Sequence, residues 1–414
     1  MAHLSTASFQ PLVPGERALP RLLESASAII AEAHGLGAGA GALAETLRPL
    51  LRAMNSFYTN LIEGQHTQPA DIERALSRRF DADDKLARKQ RLALAHIAAE
   101  EELEAALHST DHPSGLFSAE HVRRVHVAIY EKLPPADRLT DEGLPIEPGV
   151  FRSQKVRAGL HIPPPAKSVP PLLEAWSATY RSLPGVEKLV VGVACSHHRL
   201  LWVHPFLDGN GRTARLHSHL VLAALGLTHG LWSPLRGMAR QREAYYARLN
   251  NADLPRRNDL DGRGNLSQEE LVAFCSWFLE VCLDQVTFMR TLLALDQLRP
   301  RLVELLHWLA VNPWPMGSES SLVKSDALEA LHYVALVGPV ERSRFMAMTG
   351  LPPRTARRIL ASLIDYGVLV ASTPRAPVTF AVPQSSLRLL FPRLWPEAES
   401  SAALKPTPRL RPLA

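Results

Sequence analysis

Cysteine is scarce in this chain. Only Cys195, Cys275 and Cys282 occur in 414 residues. An odd count without CxxC spacing, in apolar helix-like stretches, argues against a disulfide scaffold and predicts buried free thiols in a reducing compartment. No apolar run approaches the roughly 18 residues needed to span a bilayer. The opening "MAHLSTASFQPLVPGERALP" also lacks the charged-then-apolar layout of a secretory signal. The expectation is a cytoplasmic protein with no membrane partner. There is no large excess of charge either. A net +5 permits a nucleic-acid or nucleotide partner without demanding one. Internal repeats are missing. What is there is an ordinary soluble composition, 46% hydrophobic and 21% charged, long enough for two or three domains.

Helical periodicity runs from Arg21 to about Leu107, and Ser118 is placed to N-cap a fresh helix over Ala119-Glu120-His121. Residues 141–170 change character: prolines and glycines bracket "VFRSQKVRAG", which reads as a strand or hairpin. Helix resumes from Pro171 to about Leu298. Residues 322–384 then give three short helices and two strands around a turn, the order of a winged helix-turn-helix. The expected division is 1–110 as an N-terminal helical region, 111–300 as a core, 301–395 as the winged-helix unit and 396–414 as a disordered tail.

The stretch "HPFLDGNGRTAR" (204–215) carries the chemistry. Gly209-Asn210-Gly211 can turn successive N–H groups into one concavity, an anion-binding nest. The helical pattern that follows puts the nest at a helix N-terminus, where orphan N–H groups and the positive dipole end favour phosphate. Arg212 and Arg215 stand three apart on the first turn, suited to phosphate oxygens. Asp208 would be repelled by bare phosphate, so it points to Mg²⁺ held between carboxylate and phosphate. His204 precedes the nest as a candidate proton acceptor, and Phe206 reads as an inward plug fixing the loop. The bland alternative is a glycine turn that caps a helix.

At every defining position this stretch resembles the Fic family signature HPFx(D/E)GNGRxxR. His197 stands where the family often has a histidine in the preceding helix. "GVFRSQKVRAG" is similar to the family's flap hairpin, and "REAYYARLNNAD" to its segment lining the nucleotide base. The resemblance covers about residues 45–290. It implies a mainly α, Fic-type helical bundle with a small β-hairpin flap, here with a C-terminal winged helix-turn-helix domain. The implied activity is AMP transfer from ATP to a Ser, Thr or Tyr hydroxyl of a target protein, the chain itself included. His204 would be the base and Asp208 the Mg²⁺ ligand. ATP would meet Phe206, Gly209, Asn210, Gly211, Arg212, Arg215, Tyr245, Tyr246 and Asp253. Target backbone would add as a strand to the flap at Val150, Phe151, Arg152 and Val156. At the place of Asp253 the family often has asparagine; aspartate can accept from the adenine amino group but cannot donate.

Upstream, "TNLIEG" (59–64) ends a helix whose apolar residues Leu50, Met54, Phe57 and Leu61 repeat at helical spacing. Gly64 is a natural C′ glycine, so Glu63 falls at the negative end of the helix dipole and would profit from a cation. Thr59, four residues earlier, is placed to orient the Glu63 side chain. Bare spacing also allows an exposed glutamate near a helix end. The segment resembles the family's inhibitory motif (S/T)xxxE(G/N), which implies that Glu63 pairs with Arg215 and shuts out the productive γ-phosphate pose. Removal of AMP by the same enzyme is a secondary implication.

"DLDGRGNLSQEE" (259–270) has the spacing of a calcium loop, but Arg263 takes the fifth ligand position, so a helix N-capped by Ser267 is expected instead. The histidines at 197, 198, 204, 217 and 219 suggest zinc only superficially, since HxH on a helix sends its rings to different sides. On the winged-helix unit, Arg354, Arg357, Arg358 and Arg375 are candidate DNA contacts, with packing, homodimerisation or target recruitment as alternatives. A nucleotide-sensing DNA-binding regulator is thus the rival to the enzyme, and a donor other than ATP is a third reading.

Overall fold

The computed structural model describes residues 6–65, 67–107, 112–312 and 325–394. The expected tail at 396–414 lies outside the described residues. In chain order the helices are α1 (Leu19–Ala40), α2 (Leu43–Ile62), α3 (Pro69–Leu76), α4 (Asp84–Leu107), α5 (Ala119–Tyr130), α6 (Val169–Arg181), α7 (Val186–Val203), α8 (Asn210–Ala224), α9 (Leu235–Arg240), α10 (Arg242–Ala252) and α11 (Gln268–Leu292). Then come α12 (Leu295–Val311), α13 (Leu328–Val337), α14 (Arg342–Met348), α15 (Pro353–Asp365), strands β1 (Leu369–Val370) and β2 (Thr379–Phe380), and α16 (Leu387–Leu390).

The chain divides into two compact units, though not at the expected boundaries. One takes in the chain up to His34 and again Leu51–Thr287; the other takes Gly35–Leu50 and the chain from Phe288 on. Most of the expected N-terminal helical region therefore falls in the same unit as the core, while Gly35–Leu50 falls in the other.

In the first unit α8 is the central helix. From Arg212 to Leu222 every residue is buried. Its apolar residues Leu216 and Leu220 pack with Leu92, Ala99 and Leu103 of α4 and Val125 and Ile129 of α5. Its polar residues Arg212, Arg215, His217 and His219 are buried too, so each needs partners inside the fold. Ser118 caps α5 as its sequence position predicts, accepting from the His121 N–H at 3.1 Å. Ser267 does the same for α11 through the Glu270 N–H.

Two expectations are corrected. The first concerns length and hydropathy: α11 is long and apolar enough to cross a membrane, with mean hydropathy 1.5 over an 18-residue window. Glu280 and Asp284 interrupt its apolar run in the sequence, which hid it. Here it is a core helix, with Leu271, Phe274, Phe278 and Cys282 buried. The second concerns the hairpin at 150–159: no strand forms there. The segment is irregular, and its one ladder contact is a bridge between Ala158 and His161. The Arg152 N–H, which a ladder would need, is spent on the Pro205 carbonyl at 2.9 Å.

In the second unit α13, α14 and α15 are followed by the antiparallel pair β1–β2, with Leu369 opposite Phe380 and Val370 opposite Thr379. Ala356, Ile359, Leu360 and Leu363 form the buried stripe of α15, and Arg354, Arg357 and Arg358 lie on its exposed side, with Arg375 exposed between the strands. All three cysteines are free and buried.

Candidate active site

Helix α7 ends at His204, whose backbone is left-handed, with φ at +50°. A non-glycine residue in that region costs on the order of 1 kcal/mol or more, so neighbouring groups must hold it. Arg152 does much of this. Its buried guanidinium donates from Nε to the His204 carbonyl at 2.7 Å and from Nη2 to the carbonyls of Pro164 (2.6 Å) and Val203 (3.3 Å). The loop beyond is stapled by Asn210. Its amide oxygen accepts from the Phe206 N–H and its amide nitrogen donates to the Phe206 carbonyl, both at 2.9 Å. Phe206 is indeed the plug, stacked on His126 with ring centres 3.9 Å apart. His126 holds both neighbours of the stack: one ring nitrogen accepts from the Gly149 N–H and the other donates to the Asp208 carbonyl.

His204 Nδ1 meets the Leu201 carbonyl at 3.3 Å, which assigns the proton to Nδ1 and leaves Nε2 as an acceptor. Burial, with His161 and Arg152 nearby, pushes its pKa down to about 4 against the smaller opposing pull of the Leu201 carbonyl and Glu63. At neutral pH it is an uncharged imidazole, the form a proton acceptor needs.

Helix α8 opens beside it. Gly209 sits at φ +78°, and a Cβ there would run into the Tyr130 ring. The Gly209 N–H is taken by the Asp208 carboxylate, leaving the rest of that half-buried side chain at the mouth of the helix. A Cβ on Gly211 would strike the Glu63 carboxylate.

Glu63 reaches this point because α2 ends in a Schellman motif. Gly64, at φ +75°, donates to the Leu61 carbonyl at 3.0 Å, and Gln65 donates to Asn60 at 2.9 Å. The Glu63 carboxylate forms an ion pair with Nη2 of the buried Arg215. Burial pushes the Glu63 pKa up, but Arg215 and Arg212 more than offset it and hold it below the usual carboxylate range. Thr59 acts differently from its predicted role: its hydroxyl accepts from Arg215 Nε at 2.8 Å, so it orients the arginine rather than the glutamate. Arg212 is also tied to α2, donating to Asn60 Oδ1 at 3.1 Å, and to the Tyr130 hydroxyl at 3.2 Å. The Ile62 carbonyl at the end of α2 is capped twice, by Arg242 Nε and by the Tyr246 hydroxyl, each at 2.9 Å.

These groups surround a cavity of about 450 Å³, lined by Glu63, His161, His204, Gly211, Arg215, Tyr245, Tyr246 and Asp253 among others. That volume suits a small-molecule ligand. Phe206, Asp208, Gly209, Asn210 and Arg212 stand behind or beside it and shape the loop rather than line the cavity. Tyr245 is buried, with its hydroxyl on His197 at 2.8 Å. Asp253 is already engaged: His161 Nδ1 lies 3.0 Å and His198 Nε2 3.3 Å from its carboxylate. Burial raises its pKa, but those two hydrogen bonds outweigh it and hold it low. Of the four flap residues, Val150 is exposed, Phe151 and Val156 are half-buried, and Arg152 is buried with its hydrogen bonds directed inward. Arg152 is therefore an anchor of the loop rather than a docking surface.

Sequence reasoning missed His126, Tyr130, Arg152 as an anchor, Asn60 and Arg242. Each works through a partner distant in the chain, and only the helical spacing of His126 with Tyr130 hinted that those two share a face.

The first unit is thus a mainly α bundle that sets a neutral histidine and a glycine-rich helix N-terminus beside one cavity. Residues 116–222 match the model of the Fic/DOC family. Curated relatives include "Protein adenylyltransferase Fic" of Nematostella vectensis, 32% identical over 117 residues (28% of this chain, 26% of that one), and that of Drosophila erecta, 32% identical over 138 residues (33% and 27%). The chain thus spans about a quarter of the length of these relatives. The fold is shared with a Fic family protein from Desulfovibrio desulfuricans G20, at TM-score 0.51 and 19% identity, over 91% of this chain and 99% of that one.

Proposed function

We propose that the chain is a protein adenylyltransferase, moving AMP from ATP to a serine, threonine or tyrosine hydroxyl, and that Glu63 holds it in check. One observation carries the reading: neutral His204, the start of α8 at Gly211 and the Glu63–Arg215 pair all face one cavity. In the transfer the target hydroxyl gives its proton to His204 Nε2. Its oxygen bonds to the α-phosphorus, and the bond from that phosphorus to the β-phosphate breaks, releasing pyrophosphate. The N–H groups of the first turn of α8, with Arg212 behind them, stabilise the charge that develops. Arg215 serves the γ-phosphate once Glu63 lets go.

Asp208 fits a Mg²⁺ ligand, because it stands half-buried at the helix mouth with one contact to the Gly209 N–H. When bound there, Mg²⁺ supplies charge neutralisation for the phosphates. The names of the relatives support the reaction, and the occupied Arg215 supports the brake. Asp253, held by two histidines, supports a role in shaping the base end of the cavity rather than in donating to adenine. Target backbone would approach along the irregular segment that exposes Val150, and the cytoplasm is the proposed location.

The test is labelling with ATP carrying a radioactive α-phosphate. Wild type should label weakly, Glu63→Gly strongly, and Glu63→Gly with His204→Ala not at all. Equal labelling of wild type and Glu63→Gly would sink the brake; retained transfer without His204 would remove it as the base. For the C-terminal unit, exposed Arg354, Arg357 and Arg375 around an amphipathic α15 support DNA binding by a winged helix. A mobility-shift titration that fails to weaken as salt rises would remove that reading.

A further inference from the structure

His96, Glu100 and Glu104 follow one another at four-residue steps on α4, so they line one face of that helix. His219 of α8 stands opposite. Its Nε2 lies 2.9 Å from Glu104 Oε1 and 3.7 Å from Glu100 Oε1. The ligand atoms of Glu100, Glu104 and His219 all lie within 4.8 Å of one another. His217 and His219 do diverge, with His217 on the Leu116 carbonyl at 3.0 Å, but His219 turns toward two carboxylates instead.

The fold leaves several atoms here unexplained. His96 is fully buried, yet neither of its ring nitrogens has a hydrogen-bond partner, and the same is true of Glu100 Oε2 and His219 Nδ1. His96 Nδ1 points at that Glu100 oxygen from 3.8 Å, too far for a hydrogen bond. Buried polar atoms normally find partners, and unpaired ones call for a missing component.

We propose that His96, Glu100, Glu104 and His219 form a second cation site, separate from Asp208, that takes a divalent first-row transition ion such as Zn²⁺. Four ligands about 2.1 Å from a tetrahedral ion lie roughly 3.4 Å from each other. His219 Nε2 stands 2.9 Å from Glu104 Oε1 and 3.7 Å from Glu100 Oε1, which brackets that value; His96 meets only the other Glu100 oxygen, at 3.8 Å, and lies outside this three-residue cluster, so it would have to turn inward to complete the set. Two imidazoles and two carboxylates without a thiolate suit such an ion, and the carboxylates balance its charge. An outer layer is in place as well. Asn55 donates to Glu100 at 2.7 Å and is itself held by Ser233, while Arg52 donates to Glu104 at 2.9 Å and leaves the oxygen facing His219 available. Hydrogen-bonded carboxylates of this kind are what orient metal ligands. Asn55 and Arg52 belong to α2, the helix that ends one residue before Glu63.

The experiment uses the full chain with Asp208→Asn, so that the Fic-motif cation does not contribute. The chelator-stripped protein is titrated with Zn²⁺ by calorimetry and with Co²⁺ by visible absorption. One equivalent of saturable binding, the intense visible bands of low-coordinate Co²⁺ and a raised Tm are expected. Glu104→Gln and His96→Gln should each weaken Zn²⁺ at least tenfold. His96→Gln is the safer variant, since His96 donates and accepts no hydrogen bond in the fold; if Glu104→Gln does not fold by circular dichroism, His96→Gln decides alone. Absence of saturable binding, or undiminished affinity in the folded variants, would overturn the site.

Discussion

The guanidinium of Arg152 donates to the backbone carbonyl of His204 at 2.7 Å, tying the chain before the Fic motif to the motif's first residue. It serves the Val203 and Pro164 carbonyls as well. Arg152→Ala should free the left-handed turn at His204. In a Glu63→Gly background, kcat for AMP transfer should fall by roughly 10- to 100-fold with little change in KM, because a displaced base costs rate more than binding. Arg152→Lys should not rescue it, as one ammonium cannot match the planar fork. A KM effect alone would mean that Arg152 acts on binding.

His204 is predicted to have no acid limb near the ordinary histidine range. Its pKa is lowered to about 4, and in the proposed transfer its neutral form is the active one. The kcat/KM profile of Glu63→Gly should therefore stay level as pH falls from 8 to about 5.5 and decline only below that. Removing Glu63 also removes a charge that favours the protonated ring, which moves the limb further down. A midpoint near 6.5 would contradict the neutral, buried base.

Basal activity should rise when the end of α2 is loosened. Tyr246→Phe or Arg242→Ala each deletes one bond to the Ile62 carbonyl, worth about 1 kcal/mol. Labelling by either variant should lie between wild type and Glu63→Gly, several-fold above wild type. Initial-rate labelling checks this, and rates equal to wild type would mean that the caps do not bear on Glu63.

The Glu63–Arg215 pair should stabilise the protein in a pH-dependent way. The Glu63 pKa is lower folded than unfolded, so its contribution is present above the usual carboxylate value and is lost as pH falls through the folded value. The Tm difference between wild type and Glu63→Gln should thus be largest at neutral pH and shrink below about pH 4.5. A difference that grows on acidification would reverse the assignment.

Phe206→Ala should cost about 3–5 kcal/mol of stability, since the ring is buried against His126 and leaves a cavity. Denaturant titration measures it. A loss under 1 kcal/mol would show that the loop holds without its plug.

Much of this site is legible locally. Gly64 after an apolar helix sets the turn that delivers Glu63, and Gly209-Asn210-Gly211 before a helical run places the N-terminus of α8. Ser118 and Ser267 announce their helices in the same way. What the chain does not disclose is which distant group claims a side chain. Thr59 reads as a partner for Glu63 four residues on, but Arg215 reaches it first. Arg152 reads as one face of a hairpin, yet backbone carbonyls around His204 draw it inward and dissolve the strand. Asp253 reads as a base contact and does line the cavity, but nothing in its neighbours foretells that His161 and His198 hold it. Short-range periodicity encodes helices and caps; competition for buried hydrogen bonds is settled only by the packed fold.

Tyr246 has two duties that cannot be separated. Its hydroxyl secures the last carbonyl of α2, and its ring forms part of the cavity wall. Occupant and restraint therefore share one side chain, and linkage makes their influence mutual. A ligand that draws Tyr246 away from Ile62 weakens the restraint by the same factor by which the restraint weakens that ligand. On the proposed brake, ligand affinity and the hold on Glu63 become two readings of a single equilibrium.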